Sequence, residues 1–225
     1  MPTGVVLYPN PNAVNVVDDV VSQARRAYEL GVRQVWLAQQ FDHDAIALAG
    51  LVGAAVPGLG VGTSVVPINP RHPLIVASLA QTAQAAAHGN FSLGLGLGAH
   101  EPERLAFGTA WPNTISRLRE HLEVLRSVFD TGAVDFHGDE FSASPAWPVK
   151  VAGGTPVPVY VAAMGPKALR ARWPRSCGPS SPPSSFAQTD ERARKCKSIP
   201  PKRRSRRTRW WGITGRRPEA VGVAN

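Results

Sequence analysis

The run Leu59-Gly60-Val61-Gly62-Thr63-Ser64-Val65-Val66 is uncharged, with apolar residues at Leu59, Val61, Val65 and Val66. Turn residues bound it, Pro57-Gly58 before and Pro67 with Asn69-Pro70 after. A continuous apolar run between turn signals is a strand covered on both faces. Such strands belong to sheets flanked by helices, so the segments on either side decide the fold.

Those segments alternate. Gly4 to Tyr8 is a short apolar strand closed by Pro9-Asn10-Pro11. From Asn15 to Leu30, the apolar Val17, Val20, Val21, Ala24, Ala27 and Tyr28 follow the three-and-four spacing of one helix face. Asn15 is placed to cap that helix and Gly31 to end it. Val32 to Ala38 is a second strand, turning at Gln39-Gln40-Phe41-Asp42-His43 into a helix over 45–55. After the strand at 59–66, Pro73 opens a helix that runs to about Ala87, and Phe91 to Gly96 is a fourth strand. Gly98 to Asn113, with Pro102 and Pro112, reads as a long connection. Thr114 to Phe129 is an amphipathic helix, 134–142 a small hairpin turning at Gly138-Asp139, and Val157 to Ala163 a fifth strand. Met164-Gly165-Pro166-Lys167 then turns into a further helix. Five strand–helix repeats predict parallel α/β architecture. An open doubly wound sheet and a (β/α)8 barrel both begin this way, and periodicity does not separate them.

The uncharged stretch 45–66 invites comparison with a membrane span, but it holds Pro57 and five glycines. A helix, a turn and a strand explain it better. Charge is uneven. Residues 1–170 carry 11 Lys+Arg and 13 Asp+Glu, a net of −2, whereas residues 171–225 carry 14 and 3, a net of +11. Both cysteines, Cys177 and Cys196, lie in that second part. The first part therefore has no disulfide framework, which suits a cytoplasmic protein, and no secretory leader opens the chain.

Several motifs in their order resemble the luciferase-like monooxygenase superfamily. They are Val35-Trp36-Leu37-Ala38, Gly62-Thr63-Ser64-Val65-Val66-Pro67 with Arg71-His72-Pro73, Phe91 to Gly98, Phe136-His137-Gly138, and Tyr160 to Leu169. Within it the chain is most similar to the coenzyme F420-dependent oxidoreductases. The resemblance implies a TIM barrel, a bound deazaflavin F420 or alternatively FMN, and a small organic substrate. Hydride would pass between reduced F420 and that substrate. An FMN-dependent monooxygenase is the alternative within the family, whose intact members are often homo-oligomers.

The resemblance also implies site residues. Thr63, Ser64 and Val65 match the end of the third strand, where the family commonly has a non-prolyl cis peptide backing the ring; the matching bond is Ser64-Val65. Gly96 and Gly98 match its glycine-rich fourth strand end, where bare backbone can approach a ring or phosphate. Gly94 to Ala99 also satisfies G-x-G-x-x-A, but His100-Glu101-Pro102 does not read as a continuing helix, and that fingerprint belongs to a first βα turn. Ala163, Met164 and Gly165 match the turn near the cofactor phosphate, where the helix start at Pro166 offers free N–H groups. At the second strand, Gln39-Gln40 stands where many members have Asp-His, which makes Gln40 the matching catalytic position. His43 is a further acid–base candidate, with the residues favouring a loop role beside Asp42 and Asp44. His100 and Glu101 are weaker candidates at the mouth. No zinc-type Cys/His spacing is present, and His72 reads as a helix entry.

After about Arg170 the pattern stops. Residues 171–225 hold seven prolines, Ser/Pro runs and the block Lys202-Arg203-Arg204-Ser205-Arg206-Arg207. The expectation is therefore an incomplete TIM (β/α)8 barrel of about five βα units at 1–170, followed by a disordered basic tail at 171–225. Pro, Arg and Ser enrichment is what GC-rich DNA yields out of frame, so loss of frame near Arg170 is the preferred reading, over a solvated tail. A nucleic-acid-binding arm, with Trp210-Trp211 to stack bases, is a third and non-enzymatic reading. A truncated barrel of this kind is expected to be poorly soluble and weakly active or inactive.

Overall fold

The structure, a computed structural model, describes residues 4–98, 100–108 and 114–162. Strand β1 (Gly4–Leu7) leads to helix α1 (Val16–Glu29), whose first N–H groups, those of Val17 and Asp18, donate to the Asn15 side chain. Gly31 takes φ +92° and turns the chain into β2 (Gln34–Leu37). Asp44 caps α2 (Ala45–Ala55) through Ile46 and Ala47. The expected third strand is two short strands, β3 (Gly60–Thr63) and β4 (Val66–Pro67). Helix α3 (Pro73–Ala86) follows, with proline in its first turn and the His72 ring accepting from the Leu74 N–H. Then come β5 (Phe91–Gly96), α4 (His100–Phe107) and α5 (Thr114–Thr131). The hairpin β6 (Phe136–His137) and β7 (Ser142–Ala143) precedes β8 (Val159–Ala162).

Helix α4 corrects the expectation of an irregular connection. Pro102 is its third residue, where the missing N–H has no partner within a helix anyway, so proline does not break it there.

All strand pairs in the main sheet are parallel. The order runs β1-β2-β3-β5, with β4 and β8 both paired to β5. Each new strand is laid beside the previous one with no reversal. A doubly wound sheet reverses at a switch point, so this order is that of a barrel. The sheet also curls. Trp36 on β2 and Tyr160 on β8 are separated by β3 and β5, yet their rings meet edge to face at 5.8 Å. On a flat sheet with perpendicular side chains, three strand spacings would hold them roughly 14 Å apart.

The core lies between the convex face of the sheet and the helices. Val35, Leu37, Val61, Phe91, Leu93 and Leu95 pack against Val20 and Ala24, Ile46 and Val52, Val76 and Ala80, and Leu118, Leu122 and Leu125. Helices α2 and α3 approach closely because Gly53 lacks a side chain; a Cβ there would sit 2.5 Å from that of Ala87. Two buried glutamines tie the segment before β8 to α3. Gln81 donates to Val149 O (2.8 Å) and accepts from Val151 N (3.0 Å), while Gln84 donates to Pro156 O and accepts from Phe91 N (2.7 Å). Among the described residues no helix is long and apolar enough to cross a membrane; the uncharged stretch becomes α2, a turn and the paired strands β3 and β4. The basic segment 171–225, and the expectations attached to it, lie outside the described residues.

Candidate functional site

The carboxyl ends of β2, β4, β5 and β8 open onto one cleft of about 820 Å³. Its wall at β2 depends on Gln39. The amide of this residue donates to Gln40 O (2.6 Å) and His43 O (2.7 Å) and accepts from Ala45 N (3.1 Å) and Arg71 Nη2 (2.9 Å). Every strong hydrogen-bonding position of the amide is used. Gln39 therefore pins the β2–α2 turn to the start of α2 and to the β4–α3 loop. Arg71 Nη2 also pairs with Asp44 at 2.6 Å, so the residue capping α2 anchors the arginine in turn. The Arg71 Nη1 is buried without a hydrogen-bond partner.

Between β3 and β4 the backbone bulges. Gly62 opposes Ser92 and Val66 opposes Leu95, so four steps on one strand face three on the other. One extra residue is inserted, as in a β-bulge. The Ser64-Val65 peptide in this segment is cis, the bond singled out in the sequence. The bulge carries the backbone away from β5, and the Thr63 hydroxyl takes over. It donates to Gly94 O and accepts from Gly94 N, both at 2.9 Å. Both backbone groups of a buried residue are thereby satisfied by one side chain.

The end of β5 must be bare for reasons within the chain. A Cβ on Gly96 would come within 2.5 Å of Val65 Cγ2, so Val65 lies directly on the glycine. Gly98 has φ +80°, and a Cβ there would collide with the Glu103 carboxylate. Glu103 is buried on α4 and accepts from Asn69 Nδ2 at 3.4 Å. Asn69 Nδ2 also donates to Leu97 O at 3.0 Å, and Asn69 O accepts from Arg117 Nη2 at 3.2 Å.

The structure thus brings Gln40, Ser64, Val65, Gly96 and Gly98 together around the cleft. It does not bring Thr63 or His43 there. Thr63 is buried beneath the bulge, where it serves Gly94. The His43 Nδ1 donates to Asp42 at 2.8 Å, and its carbonyl is held by Gln39; the histidine belongs to the turn. Glu101 pairs with Arg104 at 3.0 Å and is not among the residues lining the cleft. Ala163, Met164 and Gly165, and the side chain of His100, lie outside the described residues, although Ala162 lines the cleft. Sequence reasoning named no role for Phe41, Phe107 or Glu103, which also line it. Only tertiary contact reveals them.

Away from the cleft, burial drives the His121 pKa down to about 3, and the nearby Arg117 and His72 push in the same direction. Neither nitrogen of His121 has a hydrogen-bond partner. Its ring, that of His72 and the Arg117 guanidinium all surround Phe141, at 5.6, 5.5 and 4.3 Å. His72 Nε2 donates to Ser142 O (3.1 Å), which fastens the β6–β7 hairpin to the start of α3.

Residues 2–177 match the family of luciferase-like monooxygenases. The chain is 32% identical over 161 residues to the F420-dependent glucose-6-phosphate dehydrogenase of Amycolatopsis mediterranei (strain U-32), covering 66% of this chain and 48% of that protein. It thus spans about half the length of the curated relatives it matches. Among solved structures it superposes on the coenzyme F420 dependent tetrahydromethanopterin reductase from Methanopyrus kandleri with a TM-score of 0.64 at 22% identity, over 75% of this chain and 52% of that one. It also superposes on an F420-dependent secondary alcohol dehydrogenase in complex with an F420-acetone adduct, with a TM-score of 0.61 at 27% identity, over 75% and 54%. The shared fold is that of TIM-barrel luciferase-like enzymes, in agreement with the strand order.

Proposed function

We propose, for a chain that belongs to the luciferase-like monooxygenase family of enzymes, that the cleft binds the deazaflavin F420 and serves hydride transfer between it and a small organic substrate. The observation that carries this reading is the wall formed by the Ser64-Val65 bulge lying on Gly96, inside a cleft of about 820 Å³. That volume falls within the ~300–1,000 Å³ of small-molecule and cofactor sites. Ser64, Val65, Gly96, Gly98 and Ala162 offer small side chains and backbone, which suits the face of a flat ring.

When bound, the deazaflavin supplies the two-electron hydride exchange. The residues of the chain orient and enclose. Ser64 and Val65 would support the ring, with Val65 seated on Gly96, and Gly96 and Gly98 would line the cleft beside it. Ala163, Met164 and Gly165, which follow Ala162 in the chain, are assigned to the phosphate end. Gln40 stands at the end of β2 with a side chain that can donate to or accept from a substrate oxygen. An amide does not titrate near neutral pH, so Gln40 orients that oxygen and leaves proton exchange to water. Gln39 and Arg71 hold the turn that positions Gln40. Thr63 supports the bulge, and His43 supports the turn.

Titration of the purified chain with F420 and, separately, with FMN tests the reading. Saturable quenching of F420 fluorescence, with FMN bound at least tenfold more weakly, is the expected result. Preference for FMN would replace it with the FMN-dependent monooxygenase reading, and failure of both to bind would end it.

A further inference from the structure

We propose that Phe41 and Phe107 form the substrate-specificity element of this cleft, a subsite for an uncharged aryl or alicyclic group attached to an alcohol or ketone carbon. The proposal rests on the hydride-transfer reading and names the substrate class within it. Phe41 follows Gln40 in the β2–α2 turn, and Phe107 is the last residue of α4. These elements follow β2 and β5, which β3 separates, yet the two rings meet at 5.9 Å with planes 65° apart. Both line the cleft.

Phe41 is 70% exposed and Phe107 45% exposed. The fold therefore leaves most of one ring and nearly half of the other unburied, although each would gain from burial. Two exposed aromatic rings brought together at a cleft, from elements far apart in the chain, form an apolar surface for a ligand.

The charges of the cleft point the same way. Among the described lining residues, Arg71 and Glu103 are the ones with ionisable side chains. Arg71 is neutralised by Asp44 at 2.6 Å and bound to Gln39. Glu103 is buried against Gly98 and Asn69. Beside the phenylalanines, the polar side chains among the described lining residues that are left to address a substrate are Gln40 and the exposed Ser64, which suit an alcohol or carbonyl oxygen. A sugar phosphate, the substrate type in the name of the curated relatives, would meet two phenyl faces and an arginine whose Nη2 is already paired with Asp44 and whose Nη1 is buried.

The test titrates the full chain with 1-phenylethanol and with glucose 6-phosphate by ligand-observed NMR, each with and without F420. The proteins are the wild type, Phe41→Ala, Phe107→Ala and Phe41→Leu. Because both rings are exposed, the alanine variants are expected to fold, which far-UV circular dichroism checks. Phe41→Leu keeps an apolar side chain should Phe41→Ala lose its fold. The expected result is binding of 1-phenylethanol to the wild type, roughly tenfold weaker in each alanine variant and intermediate in Phe41→Leu. F420 affinity should stay within about twofold throughout. Tighter binding of glucose 6-phosphate, no binding of 1-phenylethanol, or equal binding by folded variants overturns the proposal. If F420 itself does not bind, the cofactor reading falls, and the titrations without cofactor still decide the subsite.

Discussion

Acidification should weaken this fold through His121 before its carboxylates titrate. The ring is buried with no partner on either nitrogen, and its pKa is lowered from 6.5 to about 3. Folded, it stays neutral down to about pH 3; unfolded, it takes up a proton below about pH 6.5. The unfolded state therefore binds more protons across that window, and stability falls as pH falls through it. At about 1.36 kcal/mol per pKa unit, lowering the pH from 7.5 to 5.0 costs about 2 kcal/mol from this side chain alone. The full shift corresponds to roughly 4–5 kcal/mol near pH 3, where carboxylates also contribute. The comparison protein is His121→Leu, which fills similar space and cannot titrate. Arg117 and His72 are common to both proteins and cancel in the difference. Urea unfolding of each at pH 7.5 and 5.0 gives the four free energies required. The wild type should lose about 2 kcal/mol more than the variant, and the variant should be the more stable at pH 7.5, because two unsatisfied buried nitrogens cost about 1–3 kcal/mol each. Equal pH dependence in the two proteins would refute the reasoning.

Four further substitutions, at three positions, test the packing that supports the cleft. Thr63→Val keeps the shape of the side chain but leaves Gly94 N–H and C=O unserved, so it should cost about 2–4 kcal/mol in chemical denaturation, whereas Thr63→Ser should cost under about 1 kcal/mol. Gly98→Ala and Gly31→Ala both impose a left-handed backbone worth roughly 1–2 kcal/mol on a residue with a Cβ. At Gly31 the added carbon meets nothing within 4 Å, but at Gly98 it meets the Glu103 carboxylate. Gly98→Ala should therefore be clearly the more destabilising of the pair, and comparable melting temperatures would contradict the geometry of the β5 end.

The alternation of apolar strands with amphipathic helices made the parallel α/β class legible, and Asn15 and Gly31 marked the ends of α1 through their own chemistry. The strand order was not legible, because periodicity reports which faces are apolar and not which strands are neighbours. The bulge at Ser64-Val65 was legible only through the family motif: Leu59 to Val66 is uncharged throughout, so one inserted residue leaves no break in the periodic pattern. Pro102 concealed α4, since a proline in a first helical turn looks like one in a loop. Gln40, Ser64, Val65, Gly96 and Gly98 were named through the family motif, and all five line the cleft. The saturated amide of Gln39 and the Phe41–Phe107 contact depend on elements far apart in the chain, and local sequence carries no signal of them.

The central claim, that a flat redox cofactor lies between the β2 turn, the Ser64-Val65 bulge and the β5 end, is tested most directly by hydrogen exchange on the full chain with and without saturating F420. Protection concentrated in peptides covering 38–41, 64–67 and 96–98 is the predicted result. Binding that leaves those peptides unchanged, or that protects only segments remote from the cleft, would contradict it.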